Sequence, residues 1–63
     1  MKFHLKKIRE EKNISLERLA EMAGIARSSI QRIELGTANP TLETMYKIAK
    51  TLDVNVWKLV EFE

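Results

Sequence analysis

Residues 24–36, GIARSSIQRIELG, decide the reading of this chain. The stretch opens and closes on the only two glycines among the 63 residues. Glycine supplies the left-handed conformation that ends a helix, so Gly24 closes one helix and Gly36 closes the next. Ile25 plugs the turn between them, and Ile30 and Ile33 keep helical spacing. A helix is therefore predicted from about Ala26 to Leu35. At ~100° per residue, with Arg27 at zero, Gln31 falls near ~40°, Ser28 near ~100° and Arg32 near ~140°. Ile33 and Ile30 fall opposite, near ~240° and ~300°. Arg27, Ser28, Gln31 and Arg32 thus share one arc, with no acid in the stretch before Glu34. Each can donate a hydrogen bond to a base edge, and an arginine can bond guanine O6 and N7 through both arms. Ser29 lies beside the apolar face and serves packing. A solvated face with two ordinary arginines is the alternative, and this helix alone does not decide between them.

The neighbouring segment narrows the choice. Ser15 is a good N-cap for a helix in which Leu16, Leu19, Ala20 and Ala23 form one apolar stripe. Two short helices joined by a tight glycine turn are what a helix-turn-helix needs. Such helices cross steeply, so Ala20 and Ala23 are small where the second passes above, and Ile30 drops into the angle.

Further out, a first helix runs from about Phe3 to Lys12 with Leu5 and Ile8 inward, and Asn13 ends it. Thr37 to Pro40 form a loop. Thr41 caps a fourth helix whose Leu42, Met45, Tyr46, Ile48, Ala49 and Leu52 recur at helical spacing. Asp53 and Val54 make the next turn, and Asn55 caps a fifth helix with Val54 and Leu59 as a hydrophobic staple. No β-type alternation is sustained. The expectation is an all-α, five-helix domain over residues 1–63, with the helix-turn-helix at about 16–35.

Composition excludes much else. A chain of this size buries a thin core, and the 44% apolar content is taken up by it. Without cysteine there is neither a disulfide framework nor a thiolate metal site, and the single His4 builds no metal site alone. No nucleophile is paired with a base, so no enzyme and no cofactor is expected. No apolar run is long enough for a signal or a membrane span, which points to a cytoplasmic protein with no membrane contact. A formal charge of +2 and a pI near 9.2 permit nucleic-acid binding without demanding it. Lys2, Lys6, Lys7 and Arg9 crowd an acid-free N-terminal stretch. Lys6 and Lys7 either add long-range attraction to DNA or simply form a solvated face.

At this point the chain resembles the Cro and phage-repressor helix-turn-helix family, also called xenobiotic-response-element type. The resemblance spans about Leu5 to Val60 and rests on LKKIREEKNISLERLAEMAGIARSSIQRIELGTANPTLETMYKIAKTLDV. Its register includes Leu19-Ala20, Gly24, Ile30, Ile33, Glu34, Gly36 and Pro40. The resemblance implies a compact lambda-repressor-like fold whose third helix enters the major groove of double-stranded DNA. It places base contacts on Arg27, Ser28 and Arg32, with Gln31 beside them. It places phosphate contacts on Ser15 with the amide of Leu16, and on Thr37, Asn39 and Thr41; such contacts orient without carrying sequence information. It also implies an ion pair between Arg9 and Glu34. Two positions depart from the pattern. Leu16 stands where the family commonly has a glutamine that reaches the DNA, and Ala26 stands where a Ser or Thr cap is common.

Trp57 occupies a position that is usually polar in this family. With Val60 and Phe62 it forms an apolar patch joining two copies, or else it folds over its own core. The first reading of function is a sequence-specific DNA-binding transcriptional regulator, a repressor, that binds a pseudo-palindromic operator as a homodimer. Phage repressor, restriction–modification controller and antitoxin fit the chain equally well, and a regulatory protein partner is compatible with each. The alternative is a protein–protein interaction module, or antitoxin-like partner, that keeps the fold with weak or no DNA binding.

Overall fold

The computed structural model describes the backbone of residues 2–61 and the side chains of residues 3–60. Four α-helices follow a short strand: β1 (Lys2–Phe3), α1 (Leu5–Glu11), α2 (Leu16–Ala23), α3 (Arg27–Leu35) and α4 (Leu42–Leu52). A single 3-10 turn (Val56–Lys58) and a second strand, β2 (Val60–Glu61), complete the chain's described part.

One device ends every helix. A residue in the left-handed region is followed by one whose N–H bonds a carbonyl five positions back. Gly24 (φ +69°) and Gly36 (φ +77°) do this for α2 and α3, with Ile25 N–H bonding Ala20 O and Thr37 N–H bonding Arg32 O. Asn13 (φ +56°) and Asp53 (φ +57°) do it for α1 and α4, through Ile14 to Arg9 O and Val54 to Ala49 O. Asn and Asp tolerate this conformation better than other residues with a side chain. Ile14, Ile25 and Val54 then turn back onto the core, which adds an apolar clasp to three of the four hydrogen bonds.

The starts of α2, α4 and the 3-10 turn are capped by side chains, while those of α1 and α3 are not. Ser15 accepts from Arg18 N–H, Thr41 from Thr44 N–H and Asn55 from Trp57 N–H. Leu5, Leu19, Ile30, Ile48 and Leu52, one or two from each helix, form the fully buried centre, and Val56, Leu59 and Val60 close it from below. Burying a side chain of this size contributes about 1.5–3 kcal/mol, so these few positions dominate the hydrophobic stabilisation.

The expected fifth helix is not formed. Lys58 N–H bonds Asn55 O and Leu59 N–H bonds Val56 O, one 3-10 turn. His4 N–H then takes Leu59 O at 2.8 Å, and β2 pairs antiparallel with β1, Phe3 opposite Val60. Those carbonyls and amides are consumed by the N-terminal strand, so a helix cannot continue. The same pairing withdraws Phe3 from the first helix. Leu42 (60% exposed) and Tyr46 (53%) also depart from expectation. At ~100° per residue they lie on the flank of the arc centred on Met45, Ile48, Ala49 and Leu52, outside the buried face. No helix among the described residues is long and apolar enough to cross a membrane.

Candidate nucleic-acid interface

The roll of α3 follows from its anchors. Ile30 is fully buried and Ile33 nearly so, which turns Arg27, Ser28, Gln31 and Arg32 together into solvent. Ser29 is half-buried at the edge of the packed face. Ala26 occupies the N-cap in extended conformation (φ −60°, ψ 136°) but has no side-chain oxygen to accept an orphan amide. An acid does reach the arc. Glu17, in the first turn of α2, places Oε1 3.9 Å from Arg27 Nε, both side chains largely exposed. Acids counted within the segment alone miss it, because the helix crossing brings it there.

The far end of α3 is tied down by charge. Arg9 Nε donates to Glu34 Oε2 at 2.8 Å, Nη2 to Glu34 Oε1 at 3.2 Å, and Nη1 to Ile14 O at 2.8 Å. Both side chains are nearly buried, at 11% and 7% exposure. The hydrogen bond to Glu34 pushes the Arg9 guanidinium above its ordinary pKa, against the opposing effect of burial. One side chain thereby fixes α1, the turn before α2 and the C-terminal turn of α3. No described buried side-chain nitrogen or oxygen lacks a partner.

Around the arc, the residues assigned to phosphate fall on two sides. Ser15 and the amide of Leu16 begin α2, whose next residue, Glu17, approaches Arg27; the Leu16 side chain itself packs against the core. On the other side Arg32, Ser29, Asn39, Thr41 and Thr44 line a shallow cleft of about 280 Å³. Thr37 donates its hydroxyl to Arg32 O at 3.3 Å, which stiffens the loop after α3. Asn39 is exposed. The helix-five patch is rearranged. Trp57 is 65% exposed, but Val60 is buried in β2 and cannot join an exposed face; Phe62 lies outside the described residues. Tyr46 takes Val60's place beside Trp57, the two sharing with Lys50 a surface cleft of about 330 Å³. The signal for Tyr46 was its position off the centre of the α4 stripe.

A family model described as Helix-turn-helix matches residues 5–56, which include every element from α1 to the start of the 3-10 turn. The chain belongs to the Cro/repressor-type helix-turn-helix family. Among curated relatives, the HTH-type transcriptional regulator SinR of Bacillus subtilis is 40% identical over 58 residues, 90% of this chain and 52% of its own. The putative HTH-type transcriptional regulatory protein MJ1164 of Methanocaldococcus jannaschii is 40% identical over 57 residues, 90% of this chain and 18% of its own. The chain thus spans about half or less of these two relatives. Solved structures agree in shape. SinR in complex with DNA superposes with a TM-score of 0.87 at 39% identity, covering 92% of this chain and 94% of that one. The restriction–modification controller protein C.AhdI of Aeromonas hydrophila also reaches 0.87, at 33% identity, covering 90% and 86%.

Proposed function

We propose that this chain is a sequence-specific DNA-binding transcriptional regulator, a cytoplasmic repressor that reads a pseudo-palindromic operator with α3 in the major groove. The observation that carries the reading is the exposed donor arc on α3, rolled outward by Ile30 and Ile33, in a family whose relatives include a regulator solved with DNA. Arg27, Ser28, Gln31 and Arg32 read base edges. Ser15, the Leu16 amide, Thr37, Asn39 and Thr41 take phosphates at either end of the helix. The Arg9–Glu34 pair keeps the reading helix at a fixed angle to the body. The activity is binding rather than catalysis: an occupied operator excludes polymerase or a competing protein.

A homodimer suits this role, because two copies place two reading helices one turn of DNA apart. Exposed Trp57 beside Tyr46 supports that contact. A regulatory protein partner belongs to the proposal as well; SinR has been solved as a complex with SinI. The test is affinity for duplex DNA as a function of salt. Arg27 and Arg32 of each copy enter the counterion atmosphere of the duplex, and each phosphate charge so neutralised contributes a slope of about −0.9 in log affinity against log salt. A slope steeper than about −2 is expected. A flat dependence, or no binding at low salt, refutes the proposal in favour of a protein-interaction module.

A further inference from the structure

We propose that Glu17 is a positioning residue for Arg27, holding its guanidinium for a base rather than a phosphate; this rests on the DNA-reading role proposed above. Among the described ion pairs, Arg9–Glu34 joins α1 to α3, while Arg18–Glu21 and Glu43–Lys47 each lie within one helix. Glu17–Arg27 is the pair that spans the two helices of the helix-turn-helix. At 3.9 Å between exposed side chains it adds little to stability. Its position gives it a different consequence.

A guanidinium presents two donor edges, Nε with Nη2 and Nη1 with Nη2. Glu17 approaches from Nε, which leaves the Nη1–Nη2 edge as one that can pair with guanine O6 and N7. An unrestrained arginine at the start of a reading helix takes the nearest phosphate, gaining affinity without sequence information. A carboxylate at that point opposes this twice. It competes for the guanidinium, and it repels phosphate at a range shorter than the screening length of about 10 Å. Ala26 provides no side-chain cap at this end of α3, so no neighbouring oxygen on α3 itself holds the arginine. Arg32 is the internal control, because its side chain makes no hydrogen bond or ion pair among the described residues. Glu17 therefore lowers affinity for DNA in general and raises discrimination at one base pair, a penalty aimed at wrong partners.

The experiment uses the whole chain and duplexes it selects from a random pool. Wild type, Glu17→Gln, Arg27→Ala and the double variant are titrated against the selected duplex, each single-base-pair change in it, and a scrambled duplex. Glu17→Gln is expected to lose about two- to fivefold discrimination at the base pair that Arg27→Ala identifies, and none at the position read by Arg32. It is also expected to gain about twofold affinity for the scrambled duplex at low salt. In the Arg27→Ala background Glu17→Gln should change nothing. Discrimination left intact by Glu17→Gln, an effect that persists without Arg27, or no base pair assigned by Arg27→Ala overturns the inference alone. A wild type that selects no motif overturns the DNA-reading proposal, and this inference with it.

Discussion

Replacing Glu34 with alanine leaves a nearly buried guanidinium without its charged partner. Arg9 is 11% exposed and makes three hydrogen bonds, two to Glu34 and one to Ile14 O. Glu34→Ala removes the two charged ones and leaves the cation in a partly dry site. Removing one partner of a buried pair costs about 3–5 kcal/mol. The total stability expected for a chain of this length is about 3–9 kcal/mol, from ~0.05–0.15 kcal/mol per residue. The loss is thus a third of the total or more, equivalent to a Tm lower by about 12–24 °C for 3 kcal/mol. Arg9→Met with Glu34→Leu fills the same space without charge and should recover most of that loss. Urea unfolding of the wild type, Glu34→Ala, Arg9→Met, Glu34→Leu and the Arg9→Met/Glu34→Leu double, followed by far-UV circular dichroism, gives the loss and the coupling energy. A loss below about 1 kcal/mol for Glu34→Ala, or no recovery in the double variant, refutes the reasoning. The pH dependence has a definite sign. Arg9 is raised in the folded state, so its contribution is complete below the unfolded arginine's pKa and is lost only as pH rises through the higher folded value. Raising the pH from about 7 to about 10 therefore leaves the coupling energy unchanged.

Three further outcomes are expected. Ala26→Ser supplies the missing cap of α3 and should raise stability by about 1 kcal/mol, a Tm gain of about 4–8 °C; no gain means the first amides of α3 are already satisfied. At Gly24 an added Cβ meets nothing within 4 Å, so Gly24→Ala should cost only the left-handed strain, about 1–2 kcal/mol by denaturation; a much larger loss contradicts the open turn. Trp57→Ser should lower the solution mass from dimer to monomer while the fold, with Trp57 exposed, persists; a dimer that survives the change removes Trp57 from the interface.

What was legible in the sequence was local. A hydroxyl or amide oxygen three residues before an amide, as at Ser15 and Thr41, needs only its neighbours to form a cap. Gly24 and Gly36 announce left-handed helix ends because glycine alone adopts them freely. The donor arc was legible because Ile30 and Ile33 fix the roll of α3, and a helix wheel turns that into a direction. Asp53 adopts the same left-handed conformation as the glycines, yet aspartate serves equally in loops and helix starts and so does not advertise it. The 3-10 turn depends on pairing between residues 2–3 and 60–61, which no periodicity within residues 55–61 encodes. Burial of Val60 follows from that pairing, and with it the substitution of Tyr46 beside Trp57. Glu17 meets Arg27 through a helix crossing, so only the packed structure reveals that the donor arc has an acid at its edge.

The central claim is that the α3 arc reads DNA sequence. Its most direct test is selection of bound duplexes from a random pool, run in parallel with wild type and Arg32→Ala. The account predicts a two-fold symmetric motif for the wild type and a loss of about 1–3 kcal/mol of discrimination at one base pair per half-site for the variant. A wild type that enriches no motif, or a variant that enriches the same motif undiminished, contradicts it.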